Sequence, residues 1–209
     1  MSNQIFFIAI AIIAAYIIGS FPTGYIVGRL RLGVDIRQIG SRSMGAMNVF
    51  YKVGFAWGLL VLAVDMGKGA AAVALARWLG TPMAAQLFAG AAAVLGHGFT
   101  IFLKFRGGRG GATCIGILAY LLPWGIPFYI AIFGLVLLLT HYPTFSYSIA
   151  FLAFPFTAWL KYHSPELIAF ATGILLLPAL KYIPRLKEMH TKSGSWRHVL
   201  LRRSLKDRL

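Results

Sequence analysis

Long apolar runs dominate this sequence and limit what the chain can fold into. The first run covers residues 5–27 and holds no charged side chain. A helix needs about 20 mostly apolar residues to cross the hydrocarbon core of a bilayer. Apolar residues make up 59% of the 209 residues and charged residues only 12%, whereas soluble domains carry about 25% charged residues. Because a soluble fold would expose large apolar patches, we predict an all-α, polytopic membrane helical bundle.

Seven apolar segments are predicted to span the membrane. They are residues 5–27, 55–79, 83–103, 112–122, 126–140, 144–160 and 166–180. The fourth and fifth segments are short and flank Pro123-Trp124-Gly125. A broken helix or a re-entrant pair at this point, with six spans in total, is the alternative.

The distribution of basic residues predicts how the bundle is oriented. Lys and Arg collect in the cytoplasmic loops of membrane proteins. With seven transmembrane helices and the N-terminus outside, 17 of the 20 Lys and Arg residues lie on the cytoplasmic side, and only Arg77 and Lys161 lie outside. A six-span count would move the basic C-terminal part outside. We therefore predict a membrane bundle over residues 1–180 and a basic cytoplasmic tail over residues 181–209, which binds anionic membrane lipids rather than nucleic acid.

Asp65, Lys68 and His97 are ionisable side chains that lie away from the ends of predicted spans, where such groups are rare and often functional. Asp65 and Lys68 are three residues apart, so both face one side of the helix and can pair. The pair either joins helices or supports a polar site. His97 lies between two glycines. It is either a packing residue or a functional one. With a single cysteine, Cys114, and no carboxylate at ligand spacing from His97, no metal site is expected.

A basic, glycine-rich loop follows the third segment. Its candidate substrate-binding residues are Lys104, Arg106, Gly107, Gly108, Arg109, Gly110 and, at the start of the next segment, Thr113. Glycines let backbone N–H groups turn inward around an anion, arginines add charge and paired donors, and a helix N-terminus adds a positive dipole end. These features together predict a phosphate site, with a flexible basic loop as the alternative.

The loop after the first segment has a similar character. Its candidate residues are Ser41, Arg42, Ser43, Gly45 and Asn48. Such side chains suit an anion or a polyol, although an ordinary polar connection has the same composition. Two anion-binding loops on one face predict two phosphate sites, or one phosphate bound from both loops.

Four blocks of the sequence together resemble a known family. They are Gly19-Ser20-Phe21-Pro22-Thr23-Gly24, the G-S-x-x-x-G-A-x-N pattern from Gly40 to Asn48, Asp65-Met66-Gly67-Lys68-Gly69, and the stretch from Gly96-His97 to Ala112-Thr113. Their order and spacing resemble those of the acyl-phosphate:glycerol-3-phosphate acyltransferase family, PlsY, over residues 5–180.

This resemblance implies a seven-helix bundle in the bacterial inner membrane, with the N-terminus outside and the active site facing the cytoplasm. It implies transfer of a fatty acyl group from acyl phosphate to the sn-1 hydroxyl of glycerol 3-phosphate, giving lysophosphatidic acid and phosphate in phospholipid biosynthesis. Neither a cofactor nor a metal is implied. Contact with the soluble enzyme that makes acyl phosphate is a further expectation.

The resemblance also implies roles for individual residues. Ser41, Ser43 and the amides around Gly45 would bind one phosphate. Arg109 would bind another, at a position where the family usually has Lys. His97 and Asn48 would orient groups at the reacting carbonyl, and the general base would be either His97 or the donor's own phosphate.

The chain departs from the family pattern at several positions that contact substrate. Arg42, Ser43, Met47 and Tyr51 replace the usual residues, and the late R-H-x-x-N motif is not evident. A divergent non-catalytic homologue, or a membrane protein that binds or carries anions or phospholipids, is therefore the alternative function. The sequence shows no internal repeat, which counts against a carrier.

Overall fold

The computed structural model describes residues 2–202. These residues form α-helices joined by short turns, and no strand occurs among them. The chain divides into two compact units, one ending at Tyr120 and the other beginning at Leu121. An all-helical architecture was predicted from the apolar runs and is confirmed for the described part of the chain.

Six helices begin in the first unit. They are α1 (Ser2–Ser20), α2 (Thr23–Leu32), α3 (Ala46–Lys52), α4 (Phe55–Trp78), α5 (Met83–Gly98) and α6 (Gly111–Leu121). The first predicted segment, residues 5–27, is therefore interrupted between α1 and α2. Pro22 lies at this break, where its missing N–H group and its ring prevent a regular helix from continuing. Helix α2 ends at Leu32 and is followed by Gly33, which adopts a left-handed φ of 70° and donates its N–H to the carbonyl of Arg29.

The third predicted segment ends in a turn rather than in a helix. Helix α5 stops at Gly98, and a 3-10 turn follows at Ile101–Leu103. The hydroxyl of Thr100 accepts a hydrogen bond from the N–H of Phe102 at 3.3 Å and donates one to the carbonyl oxygen of Ser20 at 2.6 Å. The end of α5 is thereby joined to the end of α1, beside the break at Pro22.

Glycines allow the helices of the first unit to pack with their backbones close together. A Cβ atom added to Gly19 would overlap the backbone of Ala93, and one added to Gly69 would overlap the carbonyl oxygen of Thr113. Close approach at small residues is a common way for helices to pack in lipid. Helix α1 consequently packs against α5, and α4 packs against α6.

The second unit contains the remaining helices of the described residues. They are α7 (Gly125–Thr140), α8 (Pro143–Ala150), α9 (Ala153–Thr157), a π-helical turn (Ala158–Tyr162), α10 (Pro165–Gly173), α11 (Leu176–Ser193) and α12 (Trp196–Leu200). The predicted segment 144–160 is thus divided between two short helices and a turn. The rings of Tyr129, Phe151 and Phe154 pack together in this unit.

Residues 181–202 of the predicted basic tail are mainly helical and belong to the second unit, whereas residues 203–209 lie outside the described part of the chain. Helix α11 runs through the predicted start of the tail at Lys181 without interruption. Met189 and Val199 are buried with Tyr142, and the guanidinium of Arg202 lies 3.7 Å from the ring centroid of Tyr142. The residues up to 202 therefore form part of the folded unit.

Several stretches are long and apolar enough to cross a membrane. Four meet this criterion, namely Asn3–Leu32, Phe55–Trp78, Met83–Leu103 and Pro165–Ser193, and Gly111–Leu121 and Gly125–Thr140 are shorter apolar helices. Several membrane-length helices agree with the predicted class of protein. The count of seven spans and the orientation stay predictions.

Two glycines of α4 provide a matched test of the close packing between α4 and α6. We expect Gly69→Ala to lower the free energy of unfolding by about 1–3 kcal/mol, because the new methyl group would meet the backbone of Thr113. Gly67→Ala should cause no loss, since no atom lies within 4 Å of its added Cβ. Thermal unfolding of the purified protein in detergent measures both. Equal transition temperatures for the two variants would contradict this packing.

Candidate active site

The two loops that the sequence identified as anion-binding are in contact. The first loop covers residues 33–45 and the glycine loop covers residues 104–110. A guanidinium nitrogen of Arg109 donates a hydrogen bond to the carbonyl oxygen of Ser41 at 3.0 Å. Arg37 of the first loop donates to the carbonyl oxygens of Arg106 at 2.7 Å and of Leu103, just before the glycine loop, at 3.4 Å. Two loops that are far apart in the sequence therefore form one site.

Asn48, at the start of α3, holds the first loop in shape. Its side-chain nitrogen lies 2.9, 3.0 and 2.8 Å from the carbonyl oxygens of Ile36, Ile39 and Ser43. Its side-chain oxygen accepts a hydrogen bond from the N–H of Ser41 at 2.9 Å. The buried amide thus binds the loop backbone with both of its ends. A catalytic role for Asn48 stays a prediction, whereas its positioning of the loop is seen directly.

Neighbouring glycines and serines complete the first loop. Gly40 has a φ of +60°, and a Cβ there would overlap the side-chain oxygen of Asn48. The N–H of Gly45 donates to the hydroxyl oxygen of Ser43 at 3.2 Å. Ser43 is buried and Ser41 half-buried, while Arg42 is exposed. The candidate phosphate-binding groups of this loop therefore lie within one tight turn before α3.

A buried ionic cluster lies beneath the two loops. Asp65 and Lys68 form the predicted ion pair, with 2.8 Å between the carboxylate oxygen and the ammonium nitrogen. Nδ1 of His97 lies 3.8 Å from the same carboxylate oxygen, and the hydroxyl of Thr23 donates to it at 3.3 Å. The exposed fractions are 1% for Asp65, 6% for Lys68 and 2% for His97. Helices α2, α4 and α5 therefore meet at one carboxylate.

Lys68 also connects this cluster to the break between α1 and α2. Its ammonium group donates a hydrogen bond to the carbonyl oxygen of Phe21 at 3.0 Å. The break leaves this carbonyl outside the regular hydrogen bonding of α1, because the helix ends at Ser20. The same carbonyl oxygen also accepts the N–H of Thr23 at 3.2 Å, so the ammonium group adds a second, charged hydrogen bond in an apolar environment, where unpaired polar groups are costly.

The glycine loop packs directly on His97. The N–H groups of Gly107 and Gly108 donate to the carbonyl oxygens of Gly98 and His97 at 3.1 and 3.0 Å. A Cβ on Gly108 would overlap Nε2 of His97. These two amides are thus hydrogen-bonded to the end of α5 and do not turn inward as the predicted anion nest requires. The side chain of Arg109 and the N-terminus of α6 are the remaining features for anion binding in this loop.

The remaining candidates lie around the same loop. Lys104 and Arg106 are exposed, and Gly110 and Thr113 are buried at the start of α6. The hydroxyl oxygen of Thr113 is buried and makes no hydrogen bond within the described residues. The candidates of both loops thus belong to the first unit, together with the Asp65 cluster.

Sequence reasoning missed several residues of this site. Arg37 and its partner Asp35 connect the loops, and Thr23 and Phe21 contact the buried ion pair. The D-x-R spacing of Asp35 and Arg37 was a usable signal, because it predicts a local ion pair. The Arg37 guanidinium lowers the pKa of Asp35 through hydrogen bonds, and Asp35 raises the pKa of Arg37 in turn, so both remain charged at neutral pH.

Comparison with known proteins identifies the family to which this site belongs. The family model described as glycerol-3-phosphate acyltransferase matches residues 9–192. The chain is 50% identical over 209 residues to a protein named glycerol-3-phosphate acyltransferase 2 from Dehalococcoides mccartyi, covering 99% of this chain and 100% of that protein.

Two solved structures have a similar fold. Both are crystal structures of PlsY (YgiH), an integral membrane glycerol 3-phosphate acyltransferase, and each match covers 88% of this chain and 92% of that chain. The glycerol 3-phosphate form has a TM-score of 0.80 and 27% identity, and the lysophosphatidic acid form has a TM-score of 0.78 and 26% identity.

The fold and the matches define an integral membrane protein of the acyltransferase class. The chain belongs to the glycerol-3-phosphate acyltransferase family. The resemblance that the four sequence blocks indicated is therefore confirmed, and the departures at Arg42, Ser43, Met47 and Tyr51 occur within that family.

The buried ion pair can be tested by comparing single and double substitutions. We expect Lys68→Met to lower the free energy of unfolding by about 3–5 kcal/mol, because it leaves the Asp65 carboxylate buried without its cation. The double variant Asp65→Asn/Lys68→Met should recover most of this loss, since no buried charge remains. Thermal unfolding in detergent measures both. A double variant that is less stable than Lys68→Met would contradict this account.

Proposed function

We propose that the protein transfers a fatty acyl group from acyl phosphate to the sn-1 hydroxyl of glycerol 3-phosphate. The products are lysophosphatidic acid and inorganic phosphate, which makes the reaction a step of phospholipid biosynthesis. The observation that carries this proposal is the contact between Arg109 and Ser41, which joins two cationic loops above the buried end of α5 in a chain of this family.

Two phosphate-bearing substrates need two sets of positive or N–H groups. The turn with Ser41, Ser43 and Gly45 binds one phosphate, and Arg109 with the N-terminus of α6 binds the other. Support comes from the PlsY structures of similar fold, whose forms are named for glycerol 3-phosphate and lysophosphatidic acid.

Outer basic and buried polar side chains assist these two phosphate sites. The exposed Lys104, Arg106 and Arg42 attract both anions. The buried Thr113 contributes a hydroxyl at the start of α6.

The chemistry is acyl transfer between two oxygens. The hydroxyl oxygen of glycerol 3-phosphate attacks the acyl carbonyl carbon, the bond from that carbon to the phosphate oxygen breaks, and phosphate leaves with the electron pair. The hydroxyl proton goes to His97 or to the departing phosphate. Most of the rate enhancement comes from holding the reactants together and from positive groups near the developing oxyanion, which act strongly in a site of low dielectric constant.

Asp65 and Lys68 support the site rather than the reacting atoms. Asp65 lies beside Nδ1 of His97, and Lys68 balances its charge. Asn48 fixes the backbone of the first loop at both serines, because it binds the N–H of Ser41 and the carbonyl oxygen of Ser43. The reaction as proposed needs neither a metal nor a cofactor.

We propose a multi-pass protein of the bacterial inner membrane, with seven spans, the N-terminus outside, and the site facing the cytoplasm. The basic residues support this orientation, because 17 of the 20 Lys and Arg residues then lie on the cytoplasmic side. Acyl phosphate is an amphiphile that is made by a soluble enzyme, and direct contact with that enzyme at the cytoplasmic loops would deliver it.

Arg109 gives the sharpest test of the activity. In purified protein supplied with palmitoyl phosphate and glycerol 3-phosphate, we expect Arg109→Ala to lower kcat/KM about 100-fold, since it removes a cation that contacts a transferred or leaving phosphate. Arg109→Lys keeps the charge and should lose less than tenfold. Lysophosphatidic acid formation and phosphate release measure the effect.

Arg77→Ala serves as the control for Arg109. It removes an exposed cation from the last turn of α4, 12 residues and thus about 18 Å along the helix from Asp65. Its activity should equal that of the unsubstituted protein. If the unsubstituted protein binds glycerol 3-phosphate but forms no product, the chain is a non-catalytic homologue.

The orientation can be tested by labelling single cysteines in whole cells. With Cys114→Ala as background, we expect Arg77→Cys and Lys161→Cys to react with an impermeant thiol reagent added outside. Arg106→Cys and Lys187→Cys should react only after the cells are opened. Labelling of Lys187→Cys from outside would favour the six-span alternative.

A further inference from the structure

Arg37 bridges the first loop and the segment that leads into the glycine loop. Its guanidinium binds both carboxylate oxygens of Asp35, with nitrogen–oxygen distances of 2.7, 3.0 and 3.1 Å. Its Nη1 atom donates to the carbonyl oxygens of Arg106 and Leu103 in the glycine-loop region. One planar group therefore joins an acidic side chain of the first loop to the backbone carbonyls of Leu103, just before the glycine loop, and of Arg106, within it.

Asp35 determines which way the guanidinium points. The carboxylate accepts from Nε and Nη2, which leaves Nη1 directed at the glycine loop. It also accepts from the backbone N–H of Arg37 at 3.0 Å, as the cap of the 3-10 turn Ile36–Gln38. A two-pronged contact of this kind fixes both the position and the plane of the guanidinium.

The carbonyls that Arg37 binds flank a strained reversal of the chain. Lys104 and Phe105 both adopt left-handed backbone conformations, with φ values of 53° and 59°. Residues with large side chains rarely adopt this conformation, and it persists only where the surroundings enforce it. The N–H of Phe105 bonds to the carbonyl of Thr100 at 2.9 Å, and Arg37 binds the two carbonyls on either side of the reversal.

The reversal leads directly into the residues that contact His97. Gly107 and Gly108 follow it and bond to the end of α5, and Arg109 then bonds to Ser41. Arg37 therefore fixes the beginning of the glycine loop, and Arg109 fixes its end.

We propose that Arg37, oriented by Asp35, is a positioning residue that holds the glycine loop against the first loop and thereby sets the positions of Arg109 and His97 for acyl transfer. This inference rests on the proposed function for its catalytic consequence, but the closure of the loop is a structural property that can be measured separately.

The first experiment is limited trypsin digestion of the folded protein in detergent. Lys104 and Arg106 are exposed cleavage sites within the glycine loop. We expect Arg37→Gln to speed cleavage after these two residues at least tenfold, the effect of losing a charged hydrogen bond, and Asp35→Asn to speed it less. Mass spectrometry identifies the new fragments beginning at Phe105 or Gly107.

Arg29→Gln is the matched control for digestion. Like Arg37, Arg29 lies over the ring of Tyr25, and substituting either arginine removes one trypsin site. The hydrogen bonds of Arg29, however, go to Tyr25 and Gly33 rather than to the glycine loop. Its cleavage rate in the loop should match that of the unsubstituted protein. Unchanged cleavage in Arg37→Gln and Asp35→Asn would overturn the proposal.

The second experiment is a double-mutant cycle with Arg109. If Arg37 acts by positioning the glycine loop, Arg37→Gln should lower kcat/KM at least tenfold in the unsubstituted protein and less than threefold in Arg109→Ala. Equal factors in both backgrounds would overturn the proposal and make Arg37 an independent ligand of a phosphate. Faster loop cleavage in Arg37→Gln, combined with no turnover by the unsubstituted protein, would retain the loop contact and reject the proposed function instead.

Discussion

The structure of the first unit depends on one buried carboxylate. A charge cannot remain unpaired in an apolar interior without a large cost in free energy, so Asp65 draws its partners from several parts of the chain. Lys68 comes from the same helix, Thr23 comes from the start of α2, and His97 comes from the end of α5. The position of His97 is therefore determined by a requirement of folding as well as by any requirement of catalysis.

Close backbone packing fixes the positions of the two loops relative to the helices of the first unit. Because Gly107 and Gly108 have no side chains, the glycine loop can lie on His97 and donate two N–H groups to the end of α5. Asn48 gives the first loop a fixed shape in the same way, through a buried amide bound to backbone atoms. Each loop is thus held in place by hydrogen bonds within the protein, independently of any substrate.

The sequence predicted the elements of this site better than the contacts between them. It identified both loops, the i, i+3 ion pair and His97, because composition and local spacing are enough to find such features. It assigned Gly107, Gly108 and Gly110 to anion binding, although the first two of these glycines pack on His97. It also missed Arg37, whose bond to Arg106 joins residues 69 positions apart.

Local sequence patterns were enough to identify the class of the protein, its all-helical architecture and its family, since the length of an apolar run and the order of short motifs are local properties of the chain. The folded structure was needed to show which glycines pack on His97 and which arginines join the loops. These features depend on contacts between residues that are distant in the chain, and no local pattern of residues records which distant backbone atoms a side chain will meet.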